Sequence, residues 1–255
     1  MLVVALALPW RLLILFAAGV GAGVSNAVAG GGTFITFPTL LALGIPAFQA
    51  NLSTTVGIAP SFFGSLRVFR KQLGTHRSLL RALVPAAVLG TFVGCALLLT
   101  GSPETFRAIV PWLIGAGTLL FALSPWITRR LVHVDHRHPA RRGGLYVGVF
   151  TVSIYGGYFG AGIGILLLAV MSLALPFEIH ELQVLRNVLS LFITLAAALV
   201  FVIHGHLAVQ AVVVLLVGTL VGGWFGASLM QRLSPRWVRG LVIALGALTT
   251  LRLAL

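Results

Sequence analysis

Ten apolar runs separated by short polar breaks limit what this chain can fold into. They fall at about 5–28, 33–46, 52–66, 82–99 and 106–127, and again at about 144–159, 162–177, 184–203, 207–230 and 237–254. A helix needs about 20 apolar residues to cross a bilayer, with a range of about 17–25. Several runs fall short of that, notably 33–46, 144–159 and 162–177. Short, glycine-interrupted segments of this kind suggest broken or re-entrant helices. Water is not the solvent for the rest. Only 8% of the 255 residues are charged and mean hydropathy is +1.09, where a soluble domain carries about 25% charged residues. The reading is an all-α polytopic membrane protein of about eight to ten hydrophobic segments, with no room for a separate soluble domain. The N-terminal run reads as the first membrane helix. Arg11 follows an apolar stretch, and no polar region comes after it, so a signal peptide does not fit.

The charge that remains is lopsided. Seventeen Lys and Arg face four Asp and Glu, a net +13. The basic residues sit in short breaks between apolar runs, as the positive-inside rule describes. They form no extended basic face with stacking aromatics, so nucleic acid is not an expected partner. The break at 128–143 holds Arg129, Arg130, His133, Asp135, His136, Arg137, His138, Arg141 and Arg142. It reads as a basic cytoplasmic linker between a first transmembrane repeat, 1–127, and a second, 144–255. Its histidines match no common metal-ligand spacing. Cys95 is the single cysteine and reads as a small packing residue.

The two halves resemble one another. When Gly30-Gly31-Gly32 is placed on Gly160-Ala161-Gly162, Pro46 falls on Pro176. After a small gap, Gly90 and Gly94 fall on Gly222 and Gly226, Pro103 on Pro235, and Arg107 on Arg239. The charged breaks around Arg67–Lys71, in the linker, and around Arg232–Arg239 belong on the cytoplasmic side. Five segments per half then give inverted repeats with both termini outside.

Three features carry candidate chemistry. Gly30, Gly31, Gly32 and Thr33 open one short segment, and Gly160, Gly162 and Gly164 open its counterpart. A helix N-terminus exposes unpaired N–H groups and a partial positive charge, and glycine lets a ligand approach that backbone. Two such ends meeting at mid-membrane make an anion site. Close helix packing by small residues is the plainer explanation, and it suffices for the GxxxG pairs Gly90/Gly94 and Gly222/Gly226. The second feature is the polar cluster Asn51, Ser53, Thr54 and Thr55, heading an apolar helix. Capping accounts for one such residue, and the length of the run points to ligand contact. Arg186 and Asn187 occupy the matching place in the second half. An intramembrane arginine is a functional candidate, against the alternative of an interfacial side chain that snorkels or pairs with Glu178 or Glu181. His204 and His206 form a loop pair without further zinc ligands, and no nucleophile–base set or phosphate loop occurs.

These residues resemble the TauE/SafE family of bacterial membrane permeases. The first half carries the glycine run, Gly44-Ile45-Pro46, Ala50–Thr55, Pro60-Ser61 and the basic Arg67–Lys71 stretch. The second carries Gly157–Gly164, Leu185-Arg186-Asn187 and Gly222–Gly226. The resemblance implies transport of sulfur-containing anions such as sulfite, sulfonates or sulfoacetate, in the export direction, in a bacterial inner membrane. The expectation is a secondary transporter for a small anion, working by alternating access. Its partners are the anion and the bilayer, with a homodimer left open and neither cofactor nor metal required. The rivals are an ion channel and a membrane-embedded enzyme built on His204, His206 and the linker histidines.

Overall fold

The computed structural model describes residues 8–28, 30–63, 76–131, 141–229 and 235–254. The described residues form ten helices and no strand. They are α1 (Leu8–Val28), α2 (Thr33–Ala42), α3 (Ala47–Ile58), α4 (Arg77–Thr100), α5 (Pro103–Leu131), α6 (Arg141–Tyr158), α7 (Ile163–Ala174), α8 (Ile179–His204), α9 (Val209–Leu229) and α10 (Pro235–Ala254). Five of these, α1, α4, α5, α8 and α9, are long and apolar enough to cross a membrane. Their outer faces expose Trp112, Leu199, Val202, Ile203 and Phe225, a surface suited to lipid tails. The chain is an all-α polytopic membrane protein.

The short segments are short helices. α2 has 10 residues and α7 has 12, which at 1.5 Å per residue reach about 15–18 Å, roughly half of a hydrocarbon core. Each follows a sharp glycine turn. α1 stops where Gly30 takes φ +76 and its N–H donates to Ser25 O at 3.0 Å. α6 stops in the same way, with Gly160 at φ +76 and its N–H on Tyr155 O at 3.1 Å. A side chain in this left-handed region costs about 1–2 kcal/mol, so glycine is the residue for the turn. With Gly30 aligned on Gly160, the helix limits of the two halves can be compared. Val28 falls on Tyr158 and Thr33 on Ile163, while α5 and α10 both open on proline, Pro103 and Pro235.

Packing pairs helices from one half with helices of both halves. α1 lies along α9, and α6 lies along α4. α3 packs on α9 and α8 on α4, while α2 packs on α10 and α7 on α5. Glycine makes the closest of these contacts. A Cβ on Gly23 would lie 2.5 Å from Gly223 N and from Thr219 O, and one on Gly94 would collide with the Ile154 carbonyl. Gly90 meets Phe150 O and Gly222 meets Val20 O in the same way, so both GxxxG pairs seat helices at backbone contact. Contact order also gives direction. Gly19 faces Gly218 and Gly23 faces Gly223, so α1 and α9 run the same way; Gly90 faces Phe150 and Gly94 faces Ile154, so α4 and α6 do too.

Two polar contacts close the ends. Arg11 Nη2 donates to Leu43 O at 2.6 Å, supplying a partner for the C-terminal end of α2. At the opposite end of the bundle, the buried His76, ahead of α4, lies 3.1 Å from Glu181 Oε1 in the first turn of α8. Glu181 Oε2 also accepts the Glu178 N–H at 3.1 Å, closing a capping box.

The structure shifts one expected boundary. The third segment starts at Ala47 and ends at Ile58, with Pro46 as its N-cap residue. Asn51, Ser53, Thr54 and Thr55 therefore lie inside α3 and cap nothing at its start. Pro46 supplies the fixed φ of the turn after Gly44 and lets the helix begin before the apolar run does. The linker residues 132–140 and the basic stretch Arg67–Lys71 lie outside the described residues, as does Arg232.

Candidate anion site at the paired glycine turns

α1 and α6 bring their C-terminal ends, and α2 and α7 their N-terminal ends, to one small cavity that α3 and α8 flank. Its volume is about 20 Å³, room for roughly one water. Gly30 and Thr33 line it from the first half, and Gly160 and Gly164 from the second. The two turns touch: a Cβ on Gly30 would sit 3.6 Å from Gly164 Cα.

Arg186 stands between these turns. It lies in the body of α8, about 10 Å along the axis from Ile179 at 1.5 Å per residue, and is 5% exposed. Its Nη1 is 3.6 Å from a Cβ built on Gly30 and 3.4 Å from one built on Gly164. Two glycines, one from each half, thus flank the guanidinium. Arg186 Nε donates to Asn187 Oδ1 at 3.3 Å, which orients the fork. A snorkelling arginine would reach solvent; this one is buried. Glu181, the acid one and a half turns away, is engaged with His76.

The remaining lining is half polar and half apolar. Thr55 comes from α3, and Asn187, Ser190 and Thr194 from α8. Arg186, Ser190 and Thr194 recur every four residues, so one face of α8 is polar. Ile58, Phe62, Phe159, Ile163 and Ile193 close the other walls. Phe159 is held by edge-on contacts with Phe37 at 5.4 Å and with Tyr155 at 6.4 Å. A buried cation, amide and hydroxyl donors and first-turn N–H groups are a donor-rich set, fit for an anion of a few atoms.

Of the thirteen residues expected at a site, seven line this cavity: Gly30, Thr33, Thr55, Gly160, Gly164, Arg186 and Asn187. The other six pack nearby. Gly31 faces Phe121 and Ser25, and Gly162, at φ +75, faces Phe34. Gly32 donates its N–H to Asn26 Oδ1 at 2.7 Å. Asn51 Nδ2 donates to Tyr158 O at 2.9 Å, Ser53 Oγ accepts the Ala208 N–H at 2.9 Å, and Thr54 is fully buried in the helix packing. Sequence reading missed Asn26, Ser190 and Thr194. The four-residue spacing from Arg186 was a usable signal for the last two. Asn26 had none beyond its place one turn before Gly30. His204 is exposed, and no group of three or more metal-binding side chains converges among the described residues.

The chain is similar along nearly its whole length to known proteins. A probable membrane transporter protein of Haemophilus influenzae is 28% identical over 252 residues, covering 95% of this chain and 94% of the relative. A probable membrane transporter protein, ORF9, of Sinorhizobium sp. is 26% identical over 251 residues, covering 95% and 92%. The probable membrane transporter protein YfcA of Escherichia coli is 22% identical over 248 residues, covering 96% and 90%. Residues 15–253 match the family described as sulfite exporter TauE/SafE. With nearly the whole chain matched, from the body of α1 to the end of α10, the protein belongs to the TauE/SafE family.

Proposed function

We propose that this membrane transporter carries a small anion through the cavity at Arg186 by alternating access. The observation that carries the reading is the buried guanidinium between two glycine turns, each opening a half-helix. Fixed N–H groups and a desolvated cation favour an anion over a cation or a neutral solute. The family's description supports a sulfur-containing anion such as sulfite or a sulfonate. A cavity of about 20 Å³ has room for roughly one water, which supports a carrier that must widen to load, rather than an open pore.

The halves act as inverted repeats in this proposal. α1 and α6 have matching ends, matching turns and exchanged packing partners. α1 starts at the end of the bundle where Arg11 meets Leu43, and α4, parallel to α6, starts at the other, where His76 meets Glu181. Rocking one half against the other would then expose the cavity to each side in turn. The inner bacterial membrane fits this, with the basic breaks on the cytoplasmic face.

The driving force follows from the scarcity of acids. Only four Asp and Glu exist, none lines the cavity among the described residues, and Glu181 is tied to His76. A proton relay would call for carboxylates at depth. The membrane potential then drives a transported negative charge outward, by about 2.3 kcal/mol per charge per 100 mV. In proteoliposomes loaded with sulfite, an inside-negative potassium–valinomycin potential at fixed pH should accelerate efflux. Efflux that ignores the potential and follows a pH gradient would refute electrogenic export and point to His180 and Glu181 as proton carriers.

A further inference from the structure

The two glycine turns are held by side chains of opposite hydrogen-bonding sense. In the first half, Asn26 Oδ1 accepts the N–H of Gly32 at 2.7 Å. In the second, the Tyr155 hydroxyl donates to Ala161 O at 2.7 Å. The repeat places Asn26 on Gly156, which has no side chain to do the same. The backbone differs accordingly: Gly32 is right-handed helical at φ −59, whereas Gly162 is left-handed at φ +75.

An anion takes hydrogen-bond donors and is repelled by carbonyl oxygens. The first-half turn has had a donor removed from it by Asn26. The second-half turn has had an acceptor removed by Tyr155, and the first-turn N–H groups of α7 have no intrahelical acceptor. Asn26 itself is 5% exposed and lines the cavity. Its Nδ2 donates to Ser61 Oγ at 2.9 Å, and Ser61 Oγ donates to Ile58 O at 2.6 Å. The side chain thus ties the α1–α2 turn to the C-terminal end of α3.

We infer that Asn26 is a positioning residue that makes the site asymmetric. It turns the first-half glycine turn into a fixed wall, so that the anion is held by Arg186 and the α7 turn while α2 and α3 move together. The inference rests on the anion reading of the cavity. Asn26→Asp keeps the volume and the acceptor for Gly32, replaces the Nδ2 donor with an oxygen to which Ser61 Oγ can donate in place of Ile58 O, and adds a negative charge to the cavity that holds Arg186. Asn26→Ala removes the tie altogether.

Methanesulfonate and sulfite transport by purified, reconstituted variants tests this, with hydrogen exchange of residues 30–34 as a second readout. For Asn26→Asp at neutral pH, KM should rise at least tenfold while kcat stays within threefold and exchange is unchanged. For Asn26→Ala, kcat should fall at least tenfold with KM within threefold, and exchange should accelerate at least tenfold. A merely structural asparagine would lower thermal stability in both variants and leave KM unchanged in both. A KM within twofold of wild type in Asn26→Asp, or unchanged exchange in Asn26→Ala, overturns the inference. A wild-type protein that carries neither anion would overturn it too, through the anion reading, and is told apart by its inactivity before any substitution.

Discussion

Arg186→Gln should lower kcat/KM for anion transport by at least about 100-fold, while leaving the folded protein no less stable. Hydrogen bonds to charged groups contribute about 1.5–3 kcal/mol each, and one tenfold step is about 1.4 kcal/mol. A bidentate contact from a guanidinium this buried therefore accounts for two orders of magnitude or more. Stability should move the other way. Arg186 is 5% exposed, and holding a cation away from water is costly in the empty protein. Gln fills much of the same space without that cost. Arg186→Lys should fall between wild type and Gln, because it keeps the charge and loses the planar fork that Asn187 orients. Transport kinetics and thermal unfolding, measured on the same purified samples, separate the two effects. A Gln variant with lower melting temperature and unchanged kcat/KM would make Arg186 a structural residue.

Gly164→Leu should abolish transport while leaving insertion and expression within about twofold of wild type. A Cβ at this position already lies 3.4 Å from Arg186 Nη1 and 3.7 Å from Gly30 Cα. The branched end of leucine must displace either the guanidinium or the opposite turn. Gly164 is not among the positive-φ glycines, which are Gly30, Gly44, Gly160 and Gly162, so the backbone accepts the side chain without strain. Neighbouring glycines are poorer probes. A substitution at Gly31 drives into Phe121, with a Cβ 2.8 Å from Cε2, and one at Gly162 adds about 1–2 kcal/mol of backbone strain. Radiolabelled uptake against the amount of protein in the membrane decides the matter. Normal uptake by Gly164→Leu would remove the turns from the substrate path.

How much of this was legible in the sequence differs from element to element. The apolar runs mark the ten helices of the described residues, because runs this long and apolar satisfy their backbone groups in lipid as helices. The glycine runs mark the breaks, because φ +76 at Gly30 and Gly160 excludes other residues at little cost. The cluster on α3 was harder. Consecutive helical residues point about 100° apart, so a run such as Asn51 to Thr55 cannot face one ligand. Thr55 reaches the cavity, whereas Ser53 turns to the start of α9 and Asn51 binds the end of α6. Asn26 was invisible for another reason. Its partners, Gly32 and Ser61, are brought together only when α1, α2 and α3 fold back on each other.

The central claim is that the cavity at Arg186 is where an anion crosses between the two sides. Ser190 lines that cavity on α8 and is 2% exposed, and Cys95 is the single cysteine of the chain. Ser190→Cys in a Cys95→Ala background therefore places one thiol at the site. In sealed proteoliposomes, a membrane-impermeant thiol reagent should modify it when added to either face, and methanesulfonate should slow the reaction from both faces at least fivefold. Modification from one face only, or at a rate that methanesulfonate does not change, would contradict the account.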